Sequence, residues 1–429
     1  MAPEHFRICY NLPTQNSNLR IWLKGDLYGW LKWFIAIVFV YRNNSWLAYE
    51  FKNPLNFAVL FVIGICVYLE SRNRNLNLPG MPVLLIGLWP IASSVLALNE
   101  GANYLSICYS MLLIFGLAMI PKSVLEEILD KYARFVLLLV VISIGFGCLF
   151  LYDYSFVRLF PEFSNPAFCP PSYHNMIIYT ERSINDFRSQ SIFWEPGAWT
   201  FNMAFSAYWI VVKNQKLKLL PVYIVGFLLA FSTTGFALIA ILLLYVFVFR
   251  TKFWGKFQII LGVLAFVGAM ILIGQLLKEK NSIDIFKMIE LQTSGKLANP
   301  NGNQSFDERM AATKQSMEIA NDNPFFGIGR QSESEAIFVT SSISELMYQY
   351  GYIYLVMFLL AYFRAFSKFN VIFGLPFVLI MLNGEAYAAG SLTSLLVVFG
   401  VNQNTWILLK LKKIICNIRD PRAKLEANL

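Results

Sequence analysis

Apolar runs separated by short polar or charged segments recur along the whole chain. A helix that crosses a bilayer needs about 20 predominantly apolar residues. On this criterion the pattern predicts about twelve transmembrane helices, at 23–41, 55–70, 81–98, 103–120, 134–151, 196–212, 218–231, 235–250, 257–277, 346–364, 370–383 and 389–409. Several spans are short, and tilt or neighbouring loop residues would extend them. The pattern therefore predicts an all-α polytopic membrane protein.

Basic residues lie at alternate ends of these spans, and they set the predicted orientation. They occur before the first span and after every even-numbered one, at Arg7, Arg20, Lys24, Arg72, Arg74, Lys122, Lys131, Arg134, Lys213, Lys216, Lys218, Arg250, Lys252, Lys256, Arg364, Lys368 and from Lys410 onward. The short loops on the other side hold no Lys or Arg (98–102, 232–234 and 384–388). Because cytoplasmic loops carry the excess of Lys and Arg, we expect a multi-pass membrane protein with both termini in the cytoplasm.

Composition agrees with this class. The 429 residues are 57% hydrophobic and only 14% charged, whereas about a quarter of the residues of a soluble domain are charged. The net charge of +9 is typical of nucleic-acid binding in a soluble protein, but here the basic residues follow the positive-inside pattern. We therefore expect no nucleic-acid partner.

Two segments, 152–195 and 278–345, exceed a simple helix connection, and loops of that length are usually functional or disordered. The charge pattern places both in the periplasm. The predicted domains are N-terminal membrane helices 1–5 at 1–151, a first periplasmic loop at 152–195, membrane helices 6–9 at 196–277, a second, partly helical periplasmic loop at 278–345, and membrane helices 10–12 with a cytoplasmic tail at 346–429.

The second loop contains a predicted helix. Ser305 and Glu308 form a capping box, and Asn323-Pro324 ends the helix after about Asn321. An apolar stripe on this helix suggests that it lies on the membrane surface or on the bundle; its members are Phe306, Met310, Thr313 and Met317.

The stretch from Arg188 to Gly197, Arg-Ser-Gln-Ser-Ile-Phe-Trp-Glu-Pro-Gly, ends the first loop. Pro196 suits the first position of a helix, and Glu195 before it suits the N-cap, where its carboxylate meets the helix dipole. A purely structural interpretation is complete in itself, with Trp194 and Trp199 in the interfacial aromatic belt.

The same stretch resembles the R-x-x-G-x-F-x-E-P signature of the Wzy family of oligosaccharide repeat-unit polymerases, with Ser191 where the family usually has Gly. Ser232-Thr233-Thr234-Gly235 resembles the family's Ser/Thr-Gly motif. The segment 323–330, Asn-Pro-Phe-Phe-Gly-Ile-Gly-Arg, resembles the N-P-x-x-G-x-G segment of this family and of the related O-antigen ligases. With Arg309 and the 341–351 run, the resemblance covers roughly residues 180–360.

The resemblance implies a GT-C-like bundle that transfers a growing glycan from undecaprenyl pyrophosphate onto the next lipid-linked repeat, without metal, cofactor or nucleotide sugar. No acidic D-x-D cluster occurs in either loop, in agreement with the absence of a metal. The implied partners are the undecaprenyl-pyrophosphate-linked oligosaccharide, membrane lipid and a chain-length-regulating co-polymerase of the Wzz type.

This chemistry needs positive charge for the departing pyrophosphate, a task suited to bidentate arginines, and a base for the acceptor hydroxyl. The candidate catalytic residues are Glu195 as the base, with Arg188 and Arg309 at the pyrophosphate. A local ion pair of Arg309 with Asp307 or Glu308 is the alternative for that side chain. The candidate substrate-binding residues are Arg182, Arg330, Glu345, Ser342 and Thr234.

Two other functions stay open. An O-antigen ligase acting on lipid A core is the closer one, but the ligases carry a histidine shortly after the Gly-x-Gly segment. This chain has only His5 and His174, neither of which follows that segment. A lipid-linked oligosaccharide flippase or other transporter is the second, and it should carry charged residues along a mid-membrane path. Here the charges concentrate in the loops, which favours an enzyme.

Overall fold

The computed structural model is mostly helical. It describes residues 17–43, 45–73, 75–97, 102–164, 172–175, 177–182, 188–251, 275, 304–331, 341–384 and 390–402. Its main helices are α1 (Ser17–Arg42), α2 (Trp46–Glu50), α3 (Lys52–Arg72), α4 (Met81–Leu96), α5 (Tyr104–Met119), α6 (Lys122–Tyr152), α7 (Pro196–Ala207), α8 (Leu220–Leu229), α9 (Thr233–Phe249), α10 (Gln304–Asp322), α11 (Ser342–Ala365), α12 (Val371–Gly384) and α13 (Ser391–Val401). A π-helical turn at Tyr208–Lys213 continues α7, and short 3₁₀ turns occupy Tyr154–Leu159 and Leu217–Leu219.

The first long loop contains a small antiparallel sheet, so the prediction of an all-α protein is wrong in this segment. Its strands are β1 (Glu162–Ser164), β2 (Ser172–Asn175) and β3 (Thr180–Arg182), in the order β1-β2-β3. Glu162 lies opposite His174, and Tyr173 lies opposite Arg182. Strands of three or four residues are too short to show a clear alternation of polar and apolar positions, which is why the sequence pattern did not reveal them.

Among the described residues, three helices are long and apolar enough to cross a membrane: Lys52–Arg72, Lys122–Phe150 and Ser342–Ala365. Shorter apolar helices accompany them at Met81–Leu96, Tyr104–Met119, Leu217–Leu229, Thr233–Phe249, Val371–Gly384 and Ser391–Val401. This is consistent with a polytopic membrane protein. The number of twelve spans and the GT-C-like architecture stay predictions, and the ninth predicted span, 257–277, lies outside the described residues apart from residue 275.

The helix ends gather at two opposite ends of the bundle. At one, here called the loop end, the two long loops meet the helices: Ser189 N–H donates to Leu229 O (2.9 Å), Trp46 N–H to Ile192 O (3.0 Å) and Asn103 N–H to Arg330 O (3.0 Å). At the other, here called the basic end, Lys213 pairs with Glu126 (2.7 Å) and Tyr245 donates to Lys368 O (3.0 Å). The membrane topology, including which end faces the periplasm, stays a prediction.

Close helix contacts form the core. Gly400 of α13 lies against the Ala361 carbonyl of α11, where an added methyl group would overlap the backbone. Small residues at such contacts let two helices approach closely. The core also contains a group of hydrogen-bonded polar side chains. Asn43 donates to Asn202 Oδ1 (2.9 Å), and Tyr132 donates to the same oxygen.

Lys32, in the first predicted span, forms an ion pair with a carboxylate that lies outside the predicted spans. Its side chain is buried and its ammonium lies 2.6 Å from the Glu127 carboxylate. The partner was missed because α6 begins at Lys122, about three turns before the predicted span at 134.

The helix of the second loop is confirmed, with corrections at its start and on its face. It begins at Gln304, so Ser305 lies in its first turn rather than before it, and it ends at Asp322, directly before Asn323-Pro324. Its buried positions are the small residues Ala312, Ser316 and Ala320, on the side that packs against α11. Met310 and Met317 of the predicted stripe are exposed. The small side chains, rather than the methionines, therefore make the packing surface.

Candidate functional site

Helix α11 is broken at Gly351, and the break lies beside the candidate site. Gly351 has φ +79° and ψ 174°, so the helix stops and restarts there. The last carbonyls of a helix lack partners within it, and here donors from elsewhere supply them. Ile328 N–H donates to Tyr348 O (3.0 Å), Gly329 N–H to Gln349 O (2.9 Å) and Trp89 Nε1 to Tyr350 O (2.9 Å).

Two of these donors belong to the Asn323–Arg330 turn, whose glycines are dictated by its geometry. Gly327 and Gly329 have φ +65° and +77°, a region that other residues rarely adopt. A Cβ on Gly327 would lie 2.5 Å from the Gln349 carbonyl, and one on Gly329 would lie 2.7 Å from the Ser94 Cα. The N-P-x-x-G-x-G pattern is thus the pattern of a turn that fits closely against a broken helix.

Helix α4 holds the turn from the other side. Ser93 Oγ donates to Gln349 O (2.9 Å) and to Phe326 O, and Phe326 stacks on the Trp89 ring at 5.0 Å between centroids. The Arg330 N–H donates to Ser94 Oγ (3.3 Å). Sequence reasoning missed this contribution because the partners are more than 230 residues apart; the signal was the Ser93-Ser94 pair in an otherwise apolar helix.

A cleft opens next to the turn, between α4, α5, α11 and α13. It encloses about 500 Å³ of space not filled by atoms, part of it open to the surroundings. Arg330 and Glu345 line it together with the hydroxyl-bearing Ser110, Tyr350 and Ser394. Its remaining walls are mainly apolar: Ile86, Gly87, Pro90, Met111, Ile114, Leu346, Tyr354, Phe358 and Val397.

Arg330 is the cation of this cleft. Its Nη1 donates to Ser110 Oγ at 3.4 Å, and the Tyr350 hydroxyl lies beside it. Burial lowers the pKa of Arg330, but the oxygen of Tyr350 and the carboxylate of Glu345 outweigh burial and raise it. Arg330 is therefore held as a charged, oriented donor over an apolar cavity, beside one carboxylate.

Glu195 and Arg188 lie at the loop end but are not among the described residues that line the Arg330 cleft. Glu195 occupies the N-cap of α7, as predicted, but its side chain makes no capping hydrogen bond, and it is half-buried. Arg188 is half-buried in the segment that leads to Glu195. The next residue, Ser189, joins this segment to α8 through the hydrogen bond from its N–H to Leu229 O. Ser191 has φ +53°, which explains why Gly suits this position in the resembled signature.

Trp199 corrects a related expectation. It is fully buried and stacks on Phe193 at 5.6 Å, so it does not lie in an interfacial belt.

The other predicted residues fall on several elements. Thr234 is in the first turn of α9, where it contacts Gly384. Ser342 is the buried first residue of α11, and Arg182 ends β3. Arg309 is in the second turn of α10 rather than the first, because the helix begins at Gln304; this weakens the expected joint use of its guanidinium and the free N–H groups of a helix start.

The structure therefore brings together Arg330 and Glu345, while Arg188, Glu195 and Thr234 are not among the described residues that line the cleft. Ser110, Tyr350 and Ser394 are cleft residues that the sequence did not indicate. Among the described residues, no group of three or more His, Cys, Asp or Glu is arranged to hold a metal ion.

Apolar helices long enough to span a bilayer, together with a cleft at the loop end that contains Arg330, are consistent with a polytopic membrane protein that carries a polar site. Residues 219–355 match the family model described as O-Antigen ligase. This match supports membership of the O-antigen ligase superfamily and includes the Asn323–Arg330 turn, Glu345 and Gly351. It does not separate polymerases from ligases. No curated protein and no solved structure matches the chain.

Proposed function

We propose that this protein is a glycosyltransferase that polymerises undecaprenyl-pyrophosphate-linked oligosaccharide repeat units on the periplasmic face of the bacterial inner membrane. The observation that carries the proposal is the cleft in which Arg330, Glu345 and an apolar wall meet. A lipid-linked donor has the matching parts: a pyrophosphate, a sugar with hydroxyl groups and a long apolar chain.

Arg330 is assigned to the pyrophosphate. As the glycosidic bond to the phosphate oxygen breaks, negative charge grows on the leaving pyrophosphate, and a guanidinium can bond two of its oxygens at once. The hydrogen bond to Ser110 and the neighbouring Tyr350 hydroxyl orient the guanidinium before the substrate arrives. Such preorganisation is what makes an electrostatic contribution effective, so this assignment also keeps the prediction that no metal takes part.

Glu345 and Glu195 are the two candidates for the base that takes the proton of the acceptor hydroxyl. Glu345 lines the same cleft as Arg330, so the geometry favours it. Glu195 retains the support of the sequence signature and of its half-buried carboxylate without a capping hydrogen bond. General base catalysis typically contributes about 10²- to 10⁴-fold, which is large enough to decide between them by substitution.

An O-antigen ligase is the second candidate, favoured by the description of the matched family. Against it stands the absence of a histidine after the Gly-x-Gly segment. His174 lies in β2, where its Nδ1 is 2.9 Å from Phe160 O, and His5 is at the other end of the chain.

The test is incubation of the purified protein with a defined undecaprenyl-pyrophosphate-linked repeat, with and without lipid A core. A ladder of lengthening lipid-linked products without the core supports the polymerase. Transfer only when lipid A core is present supports the ligase instead. Translocation of the repeat across vesicles with no new glycosidic bond would contradict both and indicate a transporter.

Membrane lipid and a Wzz-type co-polymerase are the proposed partners. The periplasmic placement rests on the loop charges, which predict the loop end to be periplasmic.

A further inference from the structure

Arg42, at the last turn of α1, is a second arginine at the loop end. Its Nε donates to Asn56 Oδ1 of α3, and its guanidinium carbon lies 5.7 Å from the centre of the Tyr109 ring of α5. Both Arg42 and Ser391 of α13 lie beside the Tyr109 hydroxyl. The polar neighbours of Arg42 in the described part of the chain are thus an amide and hydroxyls, not a carboxylate.

Two of these neighbours are buried and lack partners. Tyr109 is 9% exposed and Ser391 is 1% exposed, and neither hydroxyl oxygen has a hydrogen-bond partner within 3.5 Å among the described residues, although Arg42 and Ser391 both lie near the Tyr109 hydroxyl. Buried polar groups are nearly always hydrogen-bonded, so each exception needs an explanation. Among the described residues, this half-buried cation and the two hydroxyls have no acceptor that carries negative charge.

The position of this group connects it to the cleft. Tyr109 and Ser110 are consecutive on α5, and Ser110 holds Arg330. Ser391 and Ser394 are three residues apart on α13, hence on one helix face, and Ser394 lines the Arg330 cleft. Arg42 and Arg330 therefore lie beside the same two helices at the same end of the bundle.

We propose that Arg42, Tyr109 and Ser391 form a second oxyanion subsite next to the Arg330 cleft. The guanidinium supplies the charge and the N–H donors of its Nη atoms, since Asn56 takes the Nε donor, and the hydroxyls supply further donors. The inference deepens the proposed function and rests on it for one of two possible sources of the oxyanion, a phosphate of the lipid-linked donor. The other source with the same chemistry is the headgroup of an acidic phospholipid.

A role of Arg42 as a cation at a helix C-terminus makes a different prediction. A favourable charge in the last turn needs only a basic side chain, so Arg42→Lys would preserve it. The subsite needs the planar fork that bonds two oxygens. A role as a clamp between α1 and α3 would instead require Asn56.

The experiment measures binding of geranyl pyrophosphate to the full-length protein in phosphatidylcholine nanodiscs. Arg42→Gln is compared with the wild type, with Arg42→Lys and with the matched control Arg158→Gln, since Arg158 is an exposed arginine at the same end. We expect Arg42→Gln to weaken binding by roughly 10- to 100-fold, the worth of one or two charge-assisted hydrogen bonds. Arg42→Lys should lose part of this, and Arg158→Gln should change binding less than about twofold.

A second arm identifies a phospholipid as the source. The same proteins are placed in phosphatidylglycerol nanodiscs, and retained lipid is counted by native mass spectrometry. Loss of a retained phosphatidylglycerol in Arg42→Gln, with unchanged geranyl pyrophosphate binding, also supports the subsite and assigns it to the headgroup. If Arg42→Gln equals Arg158→Gln in both arms, the subsite does not exist.

Two further variants keep the test decisive if Arg42→Gln fails to fold. Tyr109→Phe and Ser391→Ala remove the unpartnered hydroxyls and keep the packing, and each should weaken the same binding while leaving the melting temperature unchanged. Asn56→Ala should lower neither binding nor activity by the Arg42→Gln amount; an equal loss would show a structural clamp and overturn the inference. Arg42-dependent oxyanion binding by a wild-type protein that makes no glycan would refute the proposed function alone, whereas normal polymerisation and binding by Arg42→Gln would refute the subsite alone.

Discussion

Gly329→Ala tests the claim that the Asn323–Arg330 turn positions Arg330. At φ +77° a non-glycine residue costs about 1–3 kcal/mol. The new Cβ would also lie 2.7 Å from the Ser94 Cα, and ordinary contact begins at 3.4 Å. The Cβ of residue 329 and the Cα of Ser94 are both attached rigidly to the backbone, so neither can rotate away. The turn must therefore move by about 0.7 Å, the difference between these distances. That movement stretches the Gly329–Gln349 and Arg330–Ser94 hydrogen bonds, at 2.9 and 3.3 Å.

The expected result is a fall of about 100-fold in turnover, because a misplacement of roughly 1 Å at a catalytic group can cost that much. The assay is polymerisation of a defined lipid-linked repeat, with thermal unfolding measured on the same sample. Gly64→Ala in α3 is the matched control, since no atom lies within 4 Å of its added Cβ, and it should keep both activity and melting temperature. Wild-type turnover in Gly329→Ala would refute the reasoning that the turn sets the position of Arg330.

Three further predictions concern the site and the topology. Arg330→Lys should keep donor binding within a few-fold but lower turnover by about 10²- to 10³-fold, as expected for a lost oriented donor, and equal turnover would remove Arg330 from the transition state. Of Glu345→Gln and Glu195→Gln, the one that replaces the base should lose at least about 100-fold in rate with normal expression; two active variants would exclude both carboxylates. In a protein freed of native cysteines, Asn175→Cys should react with an impermeant thiol reagent added from the periplasmic side and Gln215→Cys should not, and the reverse labelling would invert the topology.

Local patterns predicted the elements that depend on local causes. The apolar runs gave the helices, and the Asn323-Pro324 stop gave the end of α10. Errors appeared where a distant element decides the outcome. Trp199 suits an interfacial belt by composition, but Phe193 and the surrounding helices bury it.

The candidate site shows the same contrast between features with local causes and features that depend on distant elements. Gly327 and Gly329 were recognised by resemblance, but their physical purpose depends on the break at Gly351 and on Ser93 of α4. No pattern in one segment reports a hydrogen bond to a carbonyl more than 250 residues away. The sequence did not indicate Arg42 as a candidate for the same reason, because its neighbours come from α3, α5 and α13.

The central claim, that a lipid-linked donor binds in the Arg330 cleft, is tested most directly by photocrosslinking. A polyprenyl pyrophosphate with a photoreactive group in its first isoprene units is bound to the protein in nanodiscs, crosslinked and mapped by mass spectrometry. We expect adducts on the α4 and α5 segments that carry Pro90 and Met111, and their loss in Arg330→Gln. Adducts confined to other helices, unchanged by Arg330→Gln, would contradict it.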